Sequence, residues 1–463
     1  MTEPGRCSRL RFVACLALAA LSLSTCAEDK NGRTTTIELW TLALSPTFDD
    51  FITSRIRSYE SARAEDGETV RVEWVDVPFD ALDRKLIAAA AANRAPDVVN
   101  FSDMTFARFV SLGALIDLRP YLPEETIQQY LPGARSIAEI DGQLLAVPWY
   151  LTTQTLIANE RLLGDGGLEA DDIAGTWDDL RARAVAFHER TGVHLFSLPM
   201  GRETVLLSAM LAEGVAPFAE RDGRLVASFD TPKVVGFLEE WVRLFRAGGV
   251  PREAATGGFA HLIDLYQRRS IAAMNTSPNF LRRIRDEAPS VFDETVVAPA
   301  VTGRLRRSHI ATMVLGVTSQ SEHPEEAARL TAWMTSPDNQ LAFARLVNIL
   351  PSTPESLQHE HFDPPTSKAE DEAANRIAAS RALAAHSLRS AVAFTPALAT
   401  WPDLRRAFED RFTRLLLDDN DSVTRAAADI QRSWASTLAA AAPADLSAIP
   451  RPLPASLEAP TRE

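Results

Sequence analysis

The sequence predicts an α/β protein built as two lobes, and three observations lead there. Short β-rich segments alternate with helical stripes over the first hundred residues, and the alternation resumes after an uncharged, proline-broken stretch at 142–159. The chain, with 463 residues of which 46% are hydrophobic and 24% charged, is long enough for two cores. Strand and helix in alternation imply a mainly parallel sheet covered by helices on both faces.

The elements follow in order. TIELWTL, Thr36 to Leu42, is a strand rich in β-formers. Ser45-Pro46 places a capping serine before a proline at the first helical position, and Phe48, Phe51, Ile52, Ile56 and Tyr59 stripe the helix after it. Val70 to Val77 alternates as a strand. Phe79, Leu82, Leu86 and Ile87 stripe a helix running to Asn93, and Pro96 to Phe101 is a short buried strand. GQLLAVPWYLTTQTLIAN, Gly142 to Asn159, carries no charge, and its two apolar runs are interrupted by Pro148-Trp149-Tyr150.

The middle of the chain is more helical. Thr176 caps a helix with Asp179 placed for a capping box, and Thr231-Pro232 opens another, striped by Val234, Leu238, Trp241, Val242 and Phe245 and closed by Gly248-Gly249. Trp177, Trp241 and Trp333 sit at core spacing and read as packing. Strands are predicted at 270–275, 295–298 and 312–317, and His323-Pro324 opens a further helix. Residues 400–434 read as two helices joined by an acidic turn, and from about Ala439 the alanine- and proline-rich chain reads as a disordered tail.

At the N-terminus, Arg6, Arg9 and Arg11 precede an apolar run from Phe12 to about Leu23, which is the pattern of an export signal and too short to span a bilayer comfortably. The run ends in Leu23-Ser24-Thr25-Cys26, similar to a bacterial lipobox although Thr25 departs from the usual small residue. That similarity implies a signal peptide over 1–25 and lipidation of Cys26. Cys7 and Cys15 leave with the signal, so Cys26 becomes the single cysteine of the mature chain and no internal disulfide can form. Acyl chains, at ~0.8 kcal/mol per buried methylene, would tether it to a membrane surface. A secreted protein with an incidental cysteine is the alternative.

The formal charge of -14, with a pI of about 5.2, argues against a polyanionic partner, so no nucleic acid is expected. Arg304, Arg306 and Arg307, the densest basic cluster beyond the signal, read as a solvated face. There is no Gly-x-Ser-x-Gly elbow, no HExxH, no phosphate loop and no available cysteine nucleophile, so no catalytic residue, metal or cofactor is assigned. His188, His194, His359 and His361 lack metal-site company and read as surface residues. Asp418 to Asp429 has Val423 where a calcium loop requires glycine, and reads as a helix–helix turn.

IELWT, APDVVNFSD with GALIDLRPYL, DGQLLAVPWYLTTQTLIAN, GTWDDL, SIAAMNTSPNF, SEHPEEAARLTAWMTSPDNQ with Pro351-Ser352, and TWPDLRRAFEDRF stand in one order along the chain. In this the sequence resembles the sugar-binding class of bacterial extracellular solute-binding proteins, which includes the maltose- and oligosaccharide-binding lipoproteins of ABC importers. The resemblance covers nearly all of the mature length. It implies a two-lobe periplasmic-binding-protein type II (Venus-flytrap) fold with hinge strands, closing on a ligand by hinge rotation. The expected organisation is a linker at 26–33, lobe 1 at 34–148 and 313–355, lobe 2 at 149–312 and 356–438, and a tail at 439–463. Pro148-Trp149-Tyr150 is then expected at the hinge.

The implied ligand is a mono- or oligosaccharide, and the implied partners are ABC permease subunits. The chain is expected to be a monomer, lipid-anchored at the outer face of the cytoplasmic membrane. A sugar presents apolar faces edged by hydroxyls, which calls for aromatic platforms and short polar side chains. At the positions where the family places ligand loops stand Trp40, Phe101, Asp103, Trp149, Tyr150 and Trp401. Where many relatives have glycine then tryptophan, this chain has Thr276-Ser277-Pro278-Asn279-Phe280, so Asn279 and Phe280 are candidates in their place. An exported carbohydrate hydrolase, which needs only two suitably spaced carboxylates, and a non-transport receptor on the same scaffold remain the alternatives.

Overall fold

The computed structural model describes residues 34–440 apart from 79–80, 141, 204, 222–223, 348, 366–371, 395–397 and 399. The signal, Cys26, the linker, Phe79 and residues 441–463 of the expected tail lie outside the described residues. Ten strands of the described residues build two principal sheets. They are β1 (Thr35–Leu42), β2 (Val70–Val77), β3 (Val98–Ser102), β4 (Val147–Thr152), β5 (Thr155–Asn159), β6 (His194–Ser197), β7 (Ile271–Thr276), β8 (Thr295–Ala298), β9 (Ala311–Val317) and β10 (Leu350–Pro351). The first lobe holds the order β10-β4-β9-β3-β1-β2 and the second β8-β5-β7-β6.

The expected parallel pairing holds where the chain makes local strand–helix–strand turns. β1 runs parallel to β2 and β3, and β6 parallel to β7. The remaining pairs are antiparallel, because β4, β5 and β9 enter or leave their sheets by passing between lobes and so escape the crossover that forces parallel pairing. Mixed sheets therefore replace the mainly parallel ones expected.

The crossing point also differs from expectation. β4 lies wholly in the first sheet, with Tyr150 opposite Met313 and Pro148 opposite Val314, so Trp149 is the extra residue of a bulge. A bulge is where a central strand can tolerate proline, which has no N–H to offer. The carbonyl of Pro148 is held by the Ser352 hydroxyl, which donates to it at 2.8 Å. The chain thus passes to the second lobe at Thr153-Gln154, and returns between β8 and β9.

The segment after 355 does not belong to one lobe. Phe362, Ala384, Leu388 and Ala391 pack into the first core, while the helices Trp401–Leu417 and Val423–Ala440 pack into the second. Between them the helix Glu372–Ser387 bridges both, and its Ser380 hydroxyl lies 3.3 Å from that of Thr155 on β5. The second sheet is covered on both faces: Leu156 and Ala158 enter one core and Ile157 the other, as strand alternation requires. Burial of such side chains stabilises each lobe by ~1.5–3 kcal/mol apiece.

Local signals mostly hold. Thr176 and Asp179 form the capping box of the helix Trp177–Thr191. The acidic turn joins the last two helices, with Arg411 reaching Asp421 at 2.6 Å and Asp429 at 2.7 Å. Ser45-Pro46 does not cap; the helix Asp49–Glu65 begins after Phe48 without a side-chain cap. His188 and His194 are half-buried rather than surface residues, stacked at 4.0 Å with 4° between ring planes. Burial, reinforced by His188, lowers the His194 pKa to about 4, and burial likewise takes His361 to about 4.

Candidate functional site

A cavity of about 380 Å³ lies beside the crossing segments, reaching Asp103 and the strand ends Thr152 and Ala311 of the first lobe and walled for the most part by the second. Its floor comes from the crossings themselves. Thr152, Thr153 and Gln154 contribute from the first; Arg307, His309 and Ala311 from the second. Extended backbone sends alternate residues to opposite sides, so Ser308 and Ile310 are buried away from the cavity.

The three crossings are bonded to one another. The Thr153 hydroxyl donates to the carbonyl of His309 at 2.9 Å, and the Ser387 hydroxyl, at the end of the bridging helix, donates to Thr153 Oγ1 at 3.5 Å. Backbone N–H groups of Ile310 and Val392 donate to Val392 and Ser308 carbonyls respectively, at 3.0 and 2.9 Å.

Five helices begin at the cavity wall. Asp103, Trp177, Val205, Phe259 and Phe280, which all line it, are the first residues of Asp103–Ser111, Trp177–Thr191, Val205–Ala212, Phe259–Gln267 and Phe280–Glu287. Phe259 and Phe280, both half-buried, offer apolar platforms, while Trp177 and Phe394 line the wall from the second core, in a site of ordinary ligand-binding size.

The polar groups are oriented by partners outside the cavity. Gln154 Oε1 accepts from Asn275 Nδ2 at 2.7 Å, and Asn275 Oδ1 accepts from the Val301 N–H at 2.9 Å, which leaves the Gln154 amide NH₂ as the free end. His309 Nδ1 accepts the Phe394 N–H at 3.2 Å, so the neutral ring carries its proton on Nε2. Burial lowers the His309 pKa to about 4 and keeps that form. Thr276 is 1% exposed, and its hydroxyl has no hydrogen-bond partner among the described residues.

Of the residues singled out from sequence, Asp103 and Phe280 line this cavity. Asn279 is next to it, with Oδ1 buried and unpartnered among the described residues, but outside the lining. Trp40 rests against the first core with its indole N–H on Glu38 Oε1 at 2.7 Å. Tyr150 is half-buried, edge-on to Phe343 at 5.4 Å; burial, with the Asp76 charge, raises its phenol pKa.

Three candidates are core residues in this conformation. Phe101 is 0% exposed and packs with Phe106 and Phe109, Trp149 is 1% exposed in the same core, and Trp401 is 2% exposed, edge-on to Trp434 at 6.0 Å. A ring enclosed on both faces offers no platform to a solute, and strand or helix position alone does not say which way it turns. Conversely, Trp177, expected as packing, and Arg307, expected on a solvated face, line the cavity, and so do Gln154, Phe259, Phe394 and His309, for which no role is expected from sequence. The alternation Arg307, His309, Ala311 just before a predicted strand was the available signal.

A model of the family described as bacterial extracellular solute-binding protein matches residues 59–341. A protein of Synechococcus sp. MITs9220, provisionally described as an oligosaccharide periplasmic-binding protein, has a similar structure with a TM-score of 0.78 and 32% identity, covering 87% of this chain and 99% of that one. The GacH receptor of Streptomyces glaucescens, solved unliganded and with acarbose, is similar at a TM-score of 0.69 and 20% identity over 89% and 100% of the two chains. The sugar-binding protein MalE of Xanthomonas citri gives 0.71 and 19% over 88% and 98%. These last two show likeness of fold. An uncharacterised lipoprotein from the oleD 5′ region of Streptomyces antibioticus is 23% identical over 296 residues, 62% of this chain and 65% of its own length, so the match spans less than two thirds of that relative.

Proposed function

The chain belongs to the bacterial extracellular solute-binding proteins, and from that premise we propose that it is the substrate-binding lipoprotein of an ABC importer, taking a carbohydrate into the interlobe cavity and passing it to the permease. The observation that carries this reading is the cavity itself. Aromatic rings and oriented polar groups converge at the three bonded crossings, where a solute touches both lobes and favours their closure.

Further support comes from the relatives, described as oligosaccharide-, acarbose- and sugar-binding proteins. Export and anchoring through Cys26 rest on the N-terminal sequence, together with the lipoprotein relative. The protein binds its solute without chemistry.

The test is thermal shift and intrinsic fluorescence against a panel of mono- and oligosaccharides, with product analysis on the same samples. Saturable stabilisation with the sugar recovered intact is the expected result. Turnover would replace capture with hydrolysis, and no stabilisation across the panel would remove carbohydrate as the solute.

A further inference from the structure

Building on the solute-binding reading, we infer that the captured solute carries an oxyanion, a carboxylate or a phosphate ester, seated on Arg307 among the helix beginnings of the cavity wall. Arg307 is half-buried and lines the cavity, yet it has no ion pair or hydrogen bond among the described residues. Its neighbour Arg304 shows the contrast, pairing with Asp178 at 3.3 Å and Glu213 at 3.4 Å. A guanidinium withdrawn from bulk water and left without a carboxylate is suited to one that arrives with the ligand, since its planar fork matches carboxylate and phosphate oxygens.

The neighbouring groups are donors as well. With its oxygen held by Asn275, Gln154 presents its NH₂ group. The Thr276 hydroxyl, buried and unpartnered among the described residues, adds another. The solute they fit is rich in acceptors.

The field has the same sign. Five helices of eight residues or more begin at the wall and bring the positive ends of their dipoles to it, although Asp103, Asp178 and Asp179 stand in two of the first turns and Ser102, Thr176 and Glu203 take up first-turn N–H groups of three of them. Both carboxylates in the lining have partners: Glu203 Oε2 accepts the N–H of Phe259, at the start of one of these helices, at 2.8 Å, and Asp103 has a partner of its own. Arg405, the second guanidinium of the lining, makes among the described residues only a 3.8 Å pair with Glu409. The side-chain charges of the lining therefore cancel in number, and the one among them without a partner among the described residues is the Arg307 guanidinium.

The experiment compares hexuronates and hexose phosphates with their neutral parent hexoses, by calorimetry on the intact protein and on Arg307→Gln. An acidic sugar should bind at least ten-fold more tightly than its parent. The variant should lose about 10- to 100-fold of that affinity while melting at the same temperature when unliganded, because the side chain has no partner to lose. The uronate and phosphate arms distinguish the two sources of oxyanion. Neutral parents bound as tightly as the acids, or an Arg307→Gln loss equal for both, would overturn the oxyanion and leave carbohydrate capture standing. Binding of simple carboxylates or phosphates, with none of any sugar, would uphold the oxyanion seat and remove the carbohydrate.

Discussion

Trp149 lies against Phe343 with ring centroids 5.6 Å apart and 29° between the planes. The same Phe343 stacks on Phe51 at 5.0 Å, so the aromatic residue of the bulge is fastened to the helices covering the first sheet rather than turned to the cavity. Trp149→Ala should therefore cost about 3–5 kcal/mol of stability, read by urea denaturation. The folded fraction should bind solute with unchanged affinity, and an affinity loss without destabilisation would refute the placement.

Thr276→Val tests the opposite kind of position. A buried hydroxyl without a partner costs about 1–3 kcal/mol, so the isosteric valine should raise the unliganded melting temperature. Solute affinity should fall about three- to ten-fold as the hydrogen bond to the ligand disappears. Calorimetry and thermal melts on one preparation separate the two effects.

Trp177 lines the cavity while packing edge-on to Trp241 at 5.8 Å. Solute-induced change in tryptophan emission should come mainly from this indole. Trp177→Phe should abolish most of the signal, whereas Trp40→Phe should retain it. Titrations of the two variants with the same sugar decide the matter.

Three half-buried histidines set an acid limit. His194, His309 and His361 have pKa values near 4 in the fold, against an ordinary value of 6.5, with burial the leading cause in each. Between those values the unfolded chain takes up protons that the folded chain refuses, so stability should fall as pH drops from about 6.5 to about 4. Glu294, held near 2 chiefly by the Arg269 guanidinium, extends the loss below 4.5 as it becomes protonated. Melting temperatures across pH 4–8 should show the slope, and His194→Phe should flatten part of it.

Ser352 is 0% exposed; its N–H donates to Gln340 Oε1 at 2.6 Å and its hydroxyl supports Pro148. Ser352→Ala should cost about 1–3 kcal/mol by stranding the bulge carbonyl. A lower denaturation midpoint with an unchanged slope would report that loss.

What could be read from the sequence was local. The Thr176 capping box, the stripe from Val234 to Phe245 and the acidic turn before Val423 depend on neighbours within a few residues, and all three form. Pro148 misled because its strand is restored by Ser352, some two hundred residues away, which no local pattern announces. Trp149 and Trp177 carry the same side chain, yet one is enclosed and the other reaches the cavity, because sheet order and lobe placement decide which end of an element meets the cleft. Arg307 looked solvated for the same reason: a basic cluster shows its charge but not the direction of each side chain.

At Thr153 a single hydroxyl touches both the returning strand and the bridging helix. Such a tie makes the connection behave less like separate cords than like one plied strap. Turning one lobe must wind all plies together, so Gln154 and His309, which ride on it, change their aim in step with the lobe angle. Grip and compliance are then properties of the same few atoms, and an exchange there that retunes solute choice will also retune how stiffly the molecule bends.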